Sequence, residues 1–234
     1  MHMVRGQQGG DGVGKAARMI TAAVCAMCLC LLPAWASEAW SNPYLLWVDI
    51  PAKTLIVYEH QREIRRYPVA TGAWDTPTPI GKFFINSRFA GEMSGFGTCF
   101  LGLNVPWGQY GIHGTNKPNS IGANASHGCV RMHVRDAEEL YALVPNWTRV
   151  VLEGGPYGLL DSSLRPLKSG DCGSHVLAVQ QKLRALGYYG GWPDGRFGRE
   201  TERAVTNARK ALGLPPGIDV DWAFYQAIGL TLYE

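Results

Sequence analysis

The chain has 234 residues, 46% of them apolar, and a formal net charge of +3. This allows one large domain, or a medium domain with a small companion, and excludes a multi-span membrane protein. The mild charge, with no dense Lys/Arg cluster, excludes a nucleic-acid-binding surface and suits contact with an anionic envelope.

Residues 1–36 read as an export signal or N-terminal anchor. Lys15 and Arg18 precede the apolar run Met19 to Leu32, and Pro33 leads to the small-residue site Ala34-Trp35-Ala36. The run is short for a spanning helix, which needs about 20 residues, so any membrane contact is expected through this segment alone. The rest of the chain is then exported, to the cell wall or periplasm. Cys25, Cys28 and Cys30 fall inside the signal, leaving Cys99, Cys129 and Cys172. Three is an odd number, so at least one thiol has no intramolecular partner.

From Tyr44 the pattern alternates with a period of two. Strands are expected at Leu45 to Ile50, Lys53 to Glu59 and Glu63 to Val69, the last two joined by a polar turn at His60-Gln61-Arg62. Thr71-Gly72 ends the third, and the Pro77/Pro79 segment crosses as an extended loop. Lys82 to Ser87 is the next strand. Arg88 to Gly97 is a glycine-rich excursion long enough to border a cleft. Cys99 to Leu103 and Tyr110 to His113 are short strands, Asp136 to Val144 a helix closed by Pro145, and Thr148 to Leu152 a last strand. Many short strands with one helix predict a mostly β sandwich or barrel over residues 44–152.

The chemistry concentrates at His113-Gly114-Thr115 and Ser126-His127-Gly128-Cys129-Val130-Arg131-Met132. A thiolate is the competent nucleophile, yet a free thiol is only a few per cent ionised at neutral pH. A nearby imidazole corrects this by taking the proton or by forming an ion pair. Gly128 permits a tight turn that exposes the N–H groups of Gly128 and Cys129 as donors to a tetrahedral oxyanion.

His-Gly-Thr followed by Ser-His-Gly-Cys-Val-Arg resembles the signature of the L,D-transpeptidases, the YkuD-type family of cysteine enzymes that remodel bacterial peptidoglycan. Thr71-Gly72, Thr76 to Phe83 and the run around Val48-Asp49-Ile50 extend the resemblance over residues 44–152. It implies Cys129 as nucleophile, His113 as general base, Gly114 as the carbonyl orienting that imidazole, and Gly128 in the oxyanion site. It also places His127, Arg131 and Ser126 toward substrate: Arg131 to engage a stem-peptide carboxylate, His127 to shape the pocket or pack structurally, Ser126 to fix the loop. Many family members carry Asn where Arg131 stands. The implied reaction joins third-position residues of two peptidoglycan stem peptides through a thioester, without metal or organic cofactor. Water as acceptor would instead make an L,D-carboxypeptidase, an envelope-protein amine an anchoring enzyme, and a decayed site a wall-binding protein.

Residues 153–164 read as a linker, rich in Gly, Pro and Ser. Beyond it the period becomes helical. Val176, Val179, Leu183 and Leu186 mark one helix with Gly187 as its cap; Thr201, Ala204, Val205, Ala208 and Leu212 mark a second; Asp219 to Ile228 carries Trp222, Tyr225 and Ile228 in a third. Leu186-Gly187-Tyr188 and Asp194-Gly195 through Thr201 resemble the three-helix peptidoglycan-binding domain, over residues 165–232. Tyr188, Tyr189 and Trp192 are candidates either to stack on sugars or to lock the loop. Two rival chemistries fit less well. His113, His127, Cys129 and His133 lack a zinc-site spacing, and the chain has no papain-like Cys-Gly-x-Cys-Trp stretch.

Overall fold

A computed structural model describes residues 42–156, 158–160 and 163–232 of the chain. The expected export signal lies outside the described residues. Strands β1 (Tyr44–Asp49), β2 (Thr54–Glu59) and β3 (Arg62–Pro68) form an antiparallel meander. Alternation drives it: Leu46, Val48, Leu55 and Val57 are fully buried, with Leu46 opposite Val57 and Val48 opposite Leu55. At the β2–β3 turn His60 and Gln61 both take positive φ, +48° and +67°, the twist that suits a two-residue hairpin. β3 is an edge, and its exposed Arg62, Arg65 and Arg66 discourage pairing with another chain.

Strand β5 (Gly81–Met93) joins the two halves of the sheet. Its first residues pair with β10 (Arg149–Glu153), which runs parallel to β1. Past an irregularity between Ile85 and Ser87, it pairs with β6 (Gly97–Leu103). Strands β7 (Tyr110–Gly114) and β9 (Val130–Met132) complete the order β3-β2-β1-β10-β5-β6-β7-β9. A small parallel pair, β4 (Thr71–Gly72) and β8 (Asn124–Ser126), stands apart. The sheet is open at β3 and β9, so the barrel alternative is not realised. Both halves face one core, from Leu46 and Val150 to Ile112 and Val130. Helix α1 (Val134–Leu143) adds Ala137 and Leu140 to it.

Arg88 to Met93, expected as a loop, continues β5. Arg88, Phe89 and Ala90 find partners in Leu101, Phe100 and Cys99, and this pairing outweighs the local glycine content. The mostly β fold is accompanied by three further helices, α2 (Ser174–Ala185), α3 (Arg199–Ala211) and α4 (Trp222–Ala227). Their core takes Val176, Val179, Leu183, Ala204, Val205, Ala208, Phe224, Tyr225 and Ile228. Leu186, Leu212 and Trp222, expected on the same stripes, are instead exposed, at the ends of their helices. Leu160, inside the expected linker, is buried in this helical core. Among the described residues no helix is long and apolar enough to cross a membrane.

Candidate active site

The parallel pairing of β7 with β9 brings the candidate residues together. Ile112 pairs with Val130, and both side chains enter the core. Their neighbours point the other way, so His113 and Arg131, which also pair, share the opposite face. Cys129 stands one position before β9 on that same face, opposite Gly111, whose backbone N–H acts on its sulfur. His113 is therefore the diagonal neighbour of Cys129. An ideal parallel pair sets such diagonal neighbours about 8 Å apart between α-carbons.

His113 is 2% exposed and held on several sides. Its Nδ1 donates to the Gly114 carbonyl at 2.5 Å. The Phe100 ring stacks near it at 5.8 Å, and Phe96 meets it edge-on at 4.6 Å. Burial lowers the imidazole pKa below its ordinary value and the Arg131 charge adds to this, against the Gly114 and Phe96 carbonyls. Burial thus favours the uncharged ring, and the Gly114 contact calls for a proton on Nδ1. Phe96 sits at the tip of the β5–β6 hairpin, so the segment expected as a loop excursion is a hairpin that brings this ring onto His113.

Cys129 sits at the end of a turn braced from beneath. Ser126 is buried; its hydroxyl donates to the Cys129 carbonyl at 2.5 Å and accepts the Gly128 N–H at 3.0 Å. The Ser126 carbonyl in turn accepts Ala73 N–H at 2.8 Å and the Thr76 hydroxyl at 3.0 Å. The Gly72 N–H donates to the Thr78 hydroxyl at 2.8 Å. The Thr-Gly and Thr-Pro-Thr-Pro segments therefore form a strap under the nucleophile turn. Gly128 has φ +107°, and a β-carbon there would meet the Tyr110 ring at 2.6 Å. Any other residue is strained at this point and displaces the tyrosine.

Burial raises the Cys129 thiol above its ordinary value, opposed by the Gly111 N–H and the Arg131 charge. Burial thus opposes the charged form of both side chains. Of the two ways an imidazole can assist, taking the proton during attack fits this balance better than a standing ion pair. A second expectation also changes. The Gly128 N–H is occupied by Ser126, which leaves the Cys129 N–H as the expected oxyanion donor of that pair.

The other predicted residues divide. Arg131 is half-buried, and its guanidinium donates to the Ala125 carbonyl at 3.0 Å while its charge reaches both His113 and Cys129. Ser126 is a buried brace of the turn, its hydroxyl engaged by the Cys129 carbonyl and the Gly128 N–H. His127 is exposed on the turn. His133 is the N-cap residue of α1. Among the described residues, no three of His, Cys, Asp and Glu gather as a metal site. Cys99, Cys129 and Cys172 are all free thiols, Cys99 in the core and Cys172 exposed. A groove of about 540 Å³ runs along the outer side of this half-sheet, lined by Asn86, Ser87, Phe100, Gly102, Asn104 and Tyr110. Phe96, Phe100, Tyr110 and Thr76 shape the site without having been singled out for it by sequence. The β6–β7 register could have located Phe100, which pairs with His113.

Residues 43–152 match the family model of the L,D-transpeptidase catalytic domain. Residues 172–218 match a model described as "Putative peptidoglycan binding domain". The Bacillus subtilis (strain 168) protein named "Putative L,D-transpeptidase YkuD" is 44% identical over 115 residues, 49% of this chain and 69% of that one. The protein of the same name from Bacillus licheniformis is 46% identical over 108 residues, 46% of this chain and 64% of that one, so under two thirds of its length is spanned. The solved L,D-transpeptidase from Mycobacterium smegmatis aligns over 48% of this chain and 59% of its own, at 23% identity and a TM-score of 0.42. The chain belongs to the YkuD family of L,D-transpeptidases.

Proposed function

We propose that the protein is an extracytoplasmic peptidoglycan L,D-transpeptidase acting through a Cys129 thioester. The observation that carries this reading is the His113 imidazole, its Nδ1 anchored on Gly114, on a strand paired with the one that follows Cys129, inside a matched catalytic domain. Nε2 takes the thiol proton as the sulfur attacks the amide carbonyl between the third-position diamino acid and the terminal D-alanine. The oxyanion that forms is stabilised by the Cys129 N–H. The C–N bond then breaks, and the leaving D-alanine amine takes the proton from His113. The side-chain amine of a second stem attacks the thioester, its proton passes through His113, and the freed thiol completes the cycle with a crosslink between two third-position residues. Arg131, close to both groups, is placed to meet a stem carboxylate on exchanging its Ala125 contact. A thiol and an imidazole suffice for acyl transfer, so the steps call on no cofactor. The peptidoglycan-binding match points to the same polymer as ligand of the helical region.

The test is mass spectrometry of muropeptides after incubation with the purified protein. Dimers joined through third-position residues, absent with Cys129→Ala, are expected. Tripeptides alone would show water as the acceptor, and dimers that persist in the variant would refute the assignment of the nucleophile.

A further inference from the structure

A helical module on a linker would act as a tether, raising local substrate concentration without touching the chemistry. The contacts here are more direct. The Arg196 guanidinium donates to the Pro106 carbonyl from Nε at 3.0 Å and from an Nη at 2.7 Å. Trp107 packs on Gly195 so closely that a β-carbon there would meet its ring at 2.4 Å. Ser174, the first residue of α2, accepts the Ile80 N–H at 2.8 Å. The module's edge is itself knitted together, with Cys172 bridging to Arg196 and the Gly173 N–H on the Gly195 carbonyl at 2.9 Å.

Pro106 and Trp107 open the loop that ends at Tyr110. Trp107 meets Phe83 edge-on at 5.9 Å, and its indole lies near the Tyr110 hydroxyl. The Tyr110 ring lies against Gly128, next to Cys129, and lines the groove on this half-sheet. A continuous series of contacts thus runs from Arg196 through Pro106, Trp107 and Tyr110 to the Cys129 turn.

We infer that the helical module is a positioning part of the active site: Arg196 clamps the Pro106–Tyr110 loop, and Tyr110 thereby holds the turn that presents Cys129. This rests on the proposed thioester chemistry and adds that Arg196 and Gly195 are positioning residues for it. Asp194-Gly195-Arg196 then serves the catalytic domain as a docking edge. Asp194 accepts the Arg196 N–H at 2.9 Å, fixing the backbone from which the guanidinium reaches out.

The experiment uses the full chain and a soluble carbapenem, which needs no glycan to reach the site, and follows acylation of Cys129 by intact-protein mass. Arg196→Ala is expected to slow acylation about tenfold, Arg196→Lys to recover part of the loss, and Gly195→Ala to repeat the defect by pushing Trp107 away. Sedimentation with sacculi should remain at the wild-type level in the two arginine variants. Hydrogen exchange of residues 105–110 should quicken in Arg196→Ala while α2 and α3 keep their protection, separating a loosened loop from a misfolded module. Wild-type acylation together with unchanged rates in all three variants would overturn the positioning role and leave the proposed function standing. A wild-type protein that the carbapenem cannot acylate would overturn the proposed function, and the positioning role with it.

Discussion

Two glycine turns in this molecule are built alike and do different things. At Ser126–Cys129, Gly128 takes φ +107° under the Tyr110 ring, and a buried serine hydroxyl accepts its N–H. At Asp194–Phe197, Gly195 takes φ +66° under the Trp107 ring, and the fully buried Gln180 accepts its N–H at 2.7 Å. One loop, Pro106 to Tyr110, supplies both aromatic lids. The second turn is densely bonded: the Gln180 Nε2, with two hydrogens to share, lies 2.9 Å from the Asp194 carboxylate, 3.0 Å from the Arg196 carbonyl and 3.0 Å from the Thr201 hydroxyl. The first ends in a half-buried thiol whose ionisation burial opposes. A glycine turn knitted to a buried amide serves as a lock. The same device ending on a half-buried thiol offers a candidate site.

The comparison is broken most severely by Cys129→Ala. Crosslinking should fall to background, by at least about 10⁴-fold, with folding and wall binding intact, as read by muropeptide analysis and sedimentation with sacculi. His113→Gln keeps a polar ring-sized group and loses the base, so acylation should slow by about 10²–10⁴-fold in stopped-flow measurements. Gly128→Ala forces a side chain into the Tyr110 ring at a strained φ. A loss of about 1–3 kcal/mol in denaturant unfolding is expected, with acylation slower by about 10²-fold from the displaced sulfur. Gln180→Leu should cost about 1–3 kcal/mol by stranding the Gly195 N–H, with its main effect on stability of the helical region.

The smallest effect is in pH dependence. The base works only when neutral, and its pKa is lowered, so the rate should hold steady as pH falls to about 6.5 and decline only in more acid solution. Alkylation of Cys129 by iodoacetamide should be slow at neutral pH and rise only above the ordinary thiol range, because burial raises that pKa. An early acid decline, or rapid alkylation at pH 7, would favour a standing ion pair.

The β1–β3 meander was legible because Leu46, Val48, Leu55 and Val57 alternate cleanly. Cys129 and His113 were singled out together through the family resemblance, and the β7–β9 register sets His113 beside the strand that follows Cys129. The outer half of β5 was hidden, since Arg88 to Met93 is largely exposed and its pairing with β6 is long-range. Strands β8 and β9 were hidden because three-residue strands carry too little pattern and exist only through their partners. The protonation state of the pair was out of reach for a related reason. Burial decides it, and burial belongs to the fold, from Phe96 and Phe100 around His113 to Tyr110 above the Cys129 turn. Docking of the helical module was equally invisible, because a proline carbonyl and a missing β-carbon carry it.

The most direct test of the central claim is peptide mapping by mass spectrometry after brief exposure to a tetrapeptide stem without an amine acceptor. A tripeptidyl adduct is expected on the peptide holding Cys129, with one D-alanine released and Cys99 and Cys172 unmodified. Release of D-alanine with no adduct on any cysteine, or an adduct carried by Cys172, would contradict it.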